Sequence, residues 1–198
     1  MKRQSVLIIG DSYVEGVGAK KNNGWAFLLK DKMSKYLFEI SGTGGDHTEK
    51  ILSRFPGKEY NIYIIQTGTN DSRFRPSKNE EEIPVQKFKN NLLEIINKIH
   101  AINSNAKIMF VGLLFVKEEK TSPYKPDKYY KNVIIRKYDK IIENFANEHK
   151  IMYVSLREML KNKESVYDGL HPSENGHIKI SQLVANKLKI LAKQNNKT

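Results

Sequence analysis

The sequence predicts an α/β fold: a three-layer α/β/α sandwich around a five-stranded, mostly parallel sheet. The first observation behind this prediction is that short apolar, β-branched runs alternate with longer stretches whose apolar residues recur at helical spacing. The second is that the short runs lack a polar face, which is typical of strands that helices cover on both sides. Such alternation produces right-handed crossovers and a parallel sheet.

Five segments carry the strand pattern. The first contains the run Val-Leu-Ile-Ile and stops at Gly10, and the third contains Ile-Tyr-Ile-Ile. The predicted strands cover residues 6–9, 36–41, 60–66, 107–114 and 150–154. Their number sets the predicted size of the sheet.

Five further segments carry the helical pattern and lie between or after these strands. The predicted helices cover residues 25–33, 48–55, 86–102, 129–149 and 174–191. In the second helix, Asp46 is the predicted N-cap, Glu49 stands three residues later, and Pro56 and Gly57 end the helix.

The length of 198 residues and the lack of a linker or an internal repeat predict one domain over residues 1–192, followed by a polar tail at 193–198. Two connections, 71–84 and 116–128, are longer than the usual loop of about 4–6 residues. Both leave the carboxyl ends of predicted strands, where ligands bind in open α/β sheets. We therefore expect these loops to shape a substrate site.

The composition limits the class of protein. The formal net charge is +12, but the excess is mostly lysine and is spread along the chain, so we interpret it as solvated helix faces and expect no nucleic-acid partner. Cysteine is absent, which excludes disulfides, a thiolate nucleophile and a cysteine-based zinc site, and favours a cytoplasmic location. No apolar run is long enough for a membrane span, so we expect no membrane insertion.

Two short motifs follow predicted strands and carry polar groups suited to catalysis. In Gly10-Asp11-Ser12, the serine stands at a strand-to-helix turn, where its hydroxyl can be exposed and its N–H is free to stabilise an oxyanion. In Gly68-Thr69-Asn70-Asp71, the asparagine amide can point at the mouth of a pocket. Taken alone, the first motif is more typical of a tight turn with a polar cap, and the second fits an Asx-turn equally well.

A third motif, Asp-Gly-Leu-His-Pro at 168–172, is more specific. The carboxylate of Asp168 can fold back onto Nδ1–H of His171, which fixes the tautomer and leaves Nε2 to face a hydroxyl. After the second strand comes Gly-Thr-Gly-Gly-Asp at 42–46, where glycines let backbone N–H groups approach a ligand. Together, these motifs contain the parts of a serine hydrolase.

Taken in chain order, the four motifs at 10–12, 42–46, 68–71 and 168–172 resemble the blocks of the SGNH hydrolases, the GDSL esterase/lipase family, and the resemblance covers residues 6–191. It implies a flavodoxin-like fold, in agreement with the strand count. It also implies that Ser12 is the nucleophile, His171 the base and Asp168 the acid. The implied oxyanion donors are the N–H groups of Ser12 and Gly45 and the amide of Asn70, with Gly44 as an alternative to Gly45.

Side chains near these motifs are candidate substrate contacts. Tyr13 stands where the family usually has an aliphatic residue, and with Asp11 it is a candidate to narrow the site or bind substrate. Arg73 and Arg75 follow the asparagine motif and either bind an anionic group of the substrate or are solvated loop side chains. The tyrosines at 124, 129 and 130 either stack on a sugar or pack ordinarily.

The predicted function is a serine ester hydrolase that acts on a small soluble ester, with an O-acetylated carbohydrate as the first choice. A lysophospholipase or acyl-thioesterase is the second choice, and a non-catalytic binding module of the same fold is the alternative class. An acyltransferase would use the same residues. We expect no metal or organic cofactor, because His171 and His177 are poorly spaced as metal ligands and no phosphate-binding glycine motif follows the first strand.

Overall fold

The computed structural model describes residues 3–161 and 166–193. In chain order, the strands are β1 (Ser5–Gly10), β2 (Leu37–Gly42), β3 (Ile62–Gln66), β4 (Phe74–Arg75), β5 (Glu80–Glu81), β6 (Lys107–Val111) and β7 (Met152–Val154). The helices are α1 (Ser12–Glu15), α2 (Trp25–Lys32), α3 (Thr48–Ser53), α4 (Val85–Ile102), α5 (Glu118–Thr121), α6 (Asn132–Glu148) and α7 (Glu174–Lys193), with a 3-10 helix at Arg157–Lys161.

The main sheet has five strands in the order β2-β1-β3-β6-β7, and every neighbouring pair is parallel. Gly10 pairs with Gly42 on one side and with Gln66 on the other. The carboxyl ends of β1, β2 and β3 therefore meet at one edge, and the loops that carry three of the sequence motifs leave from that edge. Strands β4 and β5 form a small antiparallel hairpin inside the long connection at 71–84.

Helices cover both faces of the sheet, which explains why the strands lack a polar face. One buried cluster packs α3, α4 and α6 against the sheet and contains Ile51, Phe88 and Ile142. The other packs α2 and α7 against the opposite face and contains Trp25 and Val184. The predicted three-layer fold is therefore confirmed.

Several predicted boundaries were wrong for identifiable reasons. The fourth strand ends at Val111 because the N–H of Leu113 turns to the buried carboxylate of Asp139 at 2.9 Å. The fifth begins at Met152, since Lys150 takes a positive φ of 54°. The helix expected from residue 129 begins at Asn132, because residue 129 still pairs with strand β4.

The predicted N-cap of the second helix was also wrong. Helix α3 starts after His47, while the carboxylate of Asp46 binds Nε of Arg54 at 2.6 Å. The first N–H of this helix, on Thr48, donates instead to Oδ1 of Asp71 at 3.0 Å. The acceptor at this helix start thus comes from the asparagine motif.

At the carboxyl end, Lys193 is the last residue of α7 and not the first residue of a tail. The remainder of the predicted tail, 194–198, lies outside the described residues. Over residues 3–161 and 166–193, none of the helices has the length and apolar character needed to cross a membrane.

Candidate active site

The serine of the first motif lies in a tight turn between β1 and α1. Asp11 is the N-cap of α1, and its Oδ1 accepts the N–H of Tyr13 at 2.9 Å. Ser12 is the first residue of α1, so its own N–H has no partner within the helix. The turn requires glycine at position 10, because a Cβ there would lie 2.2 Å from the carbonyl oxygen of Gln66.

Three side chains of the predicted site form a continuous chain of hydrogen bonds. His171 Nε2 lies 3.1 Å from Oγ of Ser12, and its Nδ1 lies 2.8 Å from Oδ2 of Asp168. When Nδ1 carries the proton and donates it to the carboxylate, Nε2 is free to accept the serine hydroxyl. This is the geometry that a general base needs in order to activate a serine.

Asp168 is held in its ionised form. Burial raises its pKa, but hydrogen bonds from the backbone and ring of His171 and from the N–H of Leu170 outweigh burial and lower the pKa to about 2. Its Oδ1 accepts the two backbone N–H groups at 2.8 and 2.9 Å, which leaves Oδ2 for the imidazole. The carboxylate therefore orients the ring and remains charged at neutral pH.

The loop that carries His171 is tied to the serine turn by Tyr13. The Tyr13 hydroxyl donates to the carbonyl oxygen of Leu170 at 2.6 Å, and both groups are buried. A second tyrosine, Tyr124, donates to Oδ2 of Asp168 at 3.0 Å. Tyr13 thus joins the serine turn to the histidine loop. It is not one of the described residues that line the cleft.

Two glycines face Ser12 across the cleft. Gly45 takes a positive φ of 80°, and a Cβ on Gly44 would lie 3.9 Å from Cβ of Ser12. Neither glycine N–H donates to any residue that the structure describes. Both backbone amides are therefore available to a ligand beside the serine.

Arg54 holds this glycine loop against the sheet, a role that the sequence did not suggest. Besides Asp46, its guanidinium binds the carbonyl oxygen of Gly10 at 2.7 Å and Oγ of Ser41 at 2.6 Å. These contacts join the ends of β1 and β2 to the loop.

The amide of Asn70 lines the same cleft and is oriented by three neighbours. Its Nδ2 donates to the carbonyl oxygen of Asp46 at 3.0 Å and, more weakly, to Oδ2 of Asp11 at 3.4 Å. Its Oδ1 accepts the hydroxyl of Tyr130 at 3.0 Å. The NH₂ group thus points toward the edge of the sheet where Ser12 and the glycines lie.

Comparisons with known proteins identify the family of the chain. Residues 8–178 match the family model described as the GDSL-like lipase/acylhydrolase family. The chain belongs to this family. The family predicted from the motifs is therefore confirmed, and with it the broad class of carboxylic ester hydrolase. A search of curated proteins found no match.

Solved structures similar to this GDSL-family chain show the same fold at low sequence identity. A lipase/acylhydrolase from Enterococcus faecalis is 22% identical, with a TM-score of 0.75 over 94% of this chain and 95% of the other. A catalytic mutant of an acetylxylan esterase from Geobacillus stearothermophilus is 14% identical, with a TM-score of 0.74 over 93% and 94% of the two chains. At these identities the likeness concerns the fold alone.

Buried carboxyl groups lie directly beneath this GDSL-family site. Burial raises the pKa of Asp11 to about 7, and the neighbouring Asp71 and Asp46 add to the shift. Burial likewise raises the pKa of Asp71 to about 6. The sequence made Asp11 a candidate substrate contact, but Asp11 is not among the described residues that line the cleft.

The two arginines after the asparagine motif form an ion-pair network, so the interpretation as solvated side chains was wrong. Nη2 of Arg73 and Nη1 of Arg75 each lie 2.7 Å from Oε2 of Glu82. Nε of Arg75 also binds Asp127 at 2.7 Å. Only Arg73 of the two arginines lines the cleft.

The cleft itself has a volume of about 310 Å³. Tyr124 and Tyr130 form part of its wall, whereas Tyr129 pairs with strand β4. Sequence reasoning missed Lys125 and Lys128, which also line the cleft; the only signal was their place in the long connection at 116–128.

His177, six positions after His171, has a structural role. Nδ1 of His177 accepts the N–H of Trp25 at 3.1 Å, and its Nε2 lies 3.0 Å from the carbonyl oxygen of Val17. Within the described ranges, no group of three or more His, Asp and Glu side chains is arranged to hold a metal ion. That catalysis needs no metal or cofactor remains a prediction.

Proposed function

We propose that the protein hydrolyses esters through an acyl-enzyme, with Ser12 as nucleophile and His171 as general base. The observation that carries this proposal is the unbroken chain of hydrogen bonds, 2.8 and 3.1 Å long, from Asp168 through His171 to Ser12. This chain ends in a cleft whose opposite side carries free backbone N–H groups. Nucleophile, base and oxyanion donors are the minimum set for acyl transfer.

The proposed reaction has two halves. His171 Nε2 takes the proton of Ser12 as Oγ attacks the ester carbonyl carbon, and Asp168 stabilises the resulting imidazolium. The tetrahedral intermediate then collapses, and His171 gives the proton to the departing alcohol. In the second half, His171 takes a proton from water, the hydroxide attacks the acyl-enzyme, and the acid leaves as Ser12 regains its proton.

The oxyanion is proposed to lie between the N–H groups of Ser12 and Gly45 and the amide of Asn70, with the N–H of Gly44 as the alternative to that of Gly45. The long 3.4 Å contact from Asn70 to Asp11 is the weakest bond of that amide, so an oxyanion can replace it. Each donor of this kind lowers the barrier by about 2.7–4 kcal/mol.

The proposed substrate is a small soluble ester, first of all an O-acetylated carbohydrate. The cleft volume of about 310 Å³ lies at the low end of small-molecule sites, which favours a short acyl group over a lipid chain. Tyr124 and Tyr130 in the cleft wall offer aromatic surface to a sugar ring. The fold shared with an acetylxylan esterase is in keeping with this choice.

We further propose that the chain forms one domain, which includes the whole of α7 to Lys193. In this proposal the protein works in the cytoplasm without metal or cofactor and binds neither nucleic acid nor membrane. The absence of cysteine and the scattered lysines support this part of the proposal.

The test is hydrolysis of p-nitrophenyl acetate by wild type and Ser12→Ala, together with labelling by a fluorophosphonate. We expect the variant to lose turnover and labelling while it keeps its circular dichroism spectrum. Ser104→Ala, an exposed serine in the loop before β6, is the matched control and should behave as wild type. Hydrolysis by Ser12→Ala at the wild-type rate would overturn the assignment.

A second experiment tests the substrate class. The rates on O-acetylated sugars are compared with those on p-nitrophenyl esters of increasing acyl length. We expect acetyl esters to be cleaved fastest. A clear preference for long acyl chains would reject the carbohydrate ester in favour of a lysophospholipid or acyl-thioester.

A further inference from the structure

One wall of the cleft is formed by a tight turn at residues 125–128, which we call the lysine turn. Lys125 and Lys128 stand at its two ends and both line the cleft that holds Ser12 and His171. Arg73 lines the same cleft. Three cationic side chains therefore border the space in which an ester would react.

The backbone of the lysine turn directs both lysines to one side. Lys125 and Lys128 form an antiparallel bridge, in which the N–H of Lys128 donates to the carbonyl oxygen of Lys125 at 3.0 Å. Residues paired in this way send their side chains to the same face. The turn is also anchored, because Asp127 binds Arg75 at 2.7 Å and the N–H of Ser77 at 2.8 Å. The backbone that carries the two lysines is thus held in place before any ligand binds.

The positive charge at this wall is not balanced by nearby acids. The carboxylate of Glu82 is engaged by Arg73 and Arg75, and that of Asp127 by Arg75 and Ser77. Neither Lys125 nor Lys128 has an acidic partner in the part of the chain that the structure describes.

The ionisation of Lys128 agrees with this imbalance. Burial lowers the pKa of Lys128, and the charges of Arg73, Lys125 and Arg75 lower it further, while Glu82 opposes them. A negatively charged ligand would relieve this repulsion.

Two carboxylates lie near the other walls of the cleft, and neither belongs to the described residues that line it. A Cβ on Gly44 would lie 2.9 Å from Oε2 of Glu15, so that carboxylate borders the glycine loop. Asp168 lies on the histidine side and is already bound to His171. A fixed anionic group of the substrate is therefore attracted toward the lysine turn and disfavoured close to these two carboxylates.

We propose that Lys125 and Lys128, with Arg73, bind an anionic group, a carboxylate or a phosphate, carried by the ester that Ser12 attacks. This rests on the proposed function, and it narrows the substrate to esters with a fixed negative charge close to the scissile bond. The lysines act as point charges on flexible stems, so the subsite selects charge more than planar shape.

The test compares charged and neutral esters in matched pairs. In the first pair, mono-p-nitrophenyl glutarate carries a negative charge on its acyl group, and p-nitrophenyl valerate is the neutral ester of the same length. In the second pair, 4-acetoxybenzoate carries the charge on its alcohol group, and its methyl ester is neutral. The kcat/KM ratio of each pair is measured for wild type, for Lys125→Gln/Lys128→Gln and for Lys89→Gln/Lys98→Gln. The last variant removes the same charge from exposed positions of α4, away from the cleft.

We expect wild type to prefer the charged member of at least one pair. The pair in which this preference appears shows whether the substrate carries its charge on the acyl or on the alcohol group. In Lys125→Gln/Lys128→Gln the ratio of kcat/KM for the charged ester to kcat/KM for its neutral partner falls by about 10-fold or more. The α4 variant keeps the wild-type preference. Raising the ionic strength from about 20 mM to about 500 mM weakens the preference of wild type and of the α4 variant, and has little effect on Lys125→Gln/Lys128→Gln.

A binding measurement separates this proposal from the proposed function. Calorimetric titration of Ser12→Ala with glutarate and with inorganic phosphate reports the anion site without turnover, and the tighter ligand identifies carboxylate or phosphate as the preferred group. We expect binding that the lysine-turn substitutions weaken by about 10-fold. If neutral esters are hydrolysed but neither anion binds nor charge preference appears, the anion site is refuted and the hydrolase stands. If both anions bind but no ester is cleaved, the proposed function fails and the anion site stands.

Discussion

Replacing Tyr13 by Phe removes a single hydroxyl that joins two distant parts of the site. That hydroxyl donates to the carbonyl oxygen of Leu170 at 2.6 Å, one residue before His171. Burial, followed by the charge of Asp11, raises the pKa of Tyr13 well above its ordinary value, so the donor is present at any working pH. The substitution keeps the buried ring and leaves the carbonyl oxygen of Leu170 without this partner.

The size of the effect follows from burial on both sides of the bond. Leaving a buried acceptor unsatisfied costs about 1–3 kcal/mol of unfolding free energy. For a chain of 198 residues this corresponds to a Tm lower by about 2–12 °C, at about 2–4 °C per kcal/mol. The loop that carries His171 also loses an anchor, and a displacement of about 1 Å at a reacting group can lower kcat by about 100-fold.

The assay is thermal unfolding together with steady-state hydrolysis of p-nitrophenyl acetate. We expect a lower Tm and a lower kcat with KM unchanged, because Tyr13 does not form part of the described cleft wall. Tyr36→Phe is the control: its ring is also buried, and its hydroxyl has no hydrogen-bond partner among the described residues. A Tyr13→Phe enzyme with the Tm and kcat of wild type would refute the reasoning.

Three further predictions concern the oxyanion side, the buried carboxyl group and the glycines. Asn70→Ala lowers kcat by about 10²–10³-fold with little change in KM, measured by steady-state kinetics, because the amide acts on the oxyanion and not on the bound ester. Asp11→Asn flattens the pH dependence of the unfolding free energy between about pH 4 and 7, measured by urea unfolding at each pH. The pKa of Asp11 is about 7 in the folded state, above its unfolded value of about 3.9, so the native protein binds the extra proton and loses stability as pH rises through this window. Gly18→Ala lowers the Tm, because Gly18 has a φ of 98° and a Cβ there would lie 2.0 Å from the carbonyl oxygen of Pro172.

Each of these predictions has a control at an exposed or open position. Asn105→Ala should keep the wild-type kcat, and Asp31→Asn should keep the wild-type pH dependence. Gly57→Ala should be tolerated, since nothing lies within 4 Å of a Cβ there. Equal kcat for Asn70→Ala and wild type, an unchanged slope for Asp11→Asn, or an unchanged Tm for Gly18→Ala would contradict the corresponding prediction.

The parts of the site that the sequence could predict are those fixed by local pattern and sheet topology. Ser12 and Asn70 each follow a strand, and parallel strands end at one edge, so their proximity follows from the strand assignment. The hydrogen bonds between Asp168 and His171 span three residues and depend only on the local turn. The motif spacing and the strand pattern were therefore sufficient to predict that Ser12 lies near Asn70 and that Asp168 binds His171.

The parts that the sequence could not predict depend on pairing between distant segments. Tyr13 and Leu170 are 157 positions apart, and nothing local marks them as partners. Asp46 looked like an N-cap because the competing partner, Arg54, becomes available only once α3 is folded against the sheet. Lys125 and Lys128 likewise carry no local signal, because only the folded structure shows that both line the cleft.

Ser12 and Nε2 of His171, which lie 3.1 Å apart in space, are separated by 159 positions in the chain. A chain that has not yet been extended as far as His171 carries the serine without the imidazole. Ester cleavage should therefore begin only when the segment with His171 has been made and has folded against the serine turn, and a product truncated before His171 should be inert toward esters. The appearance of activity during refolding would accordingly report closure of the whole molecule.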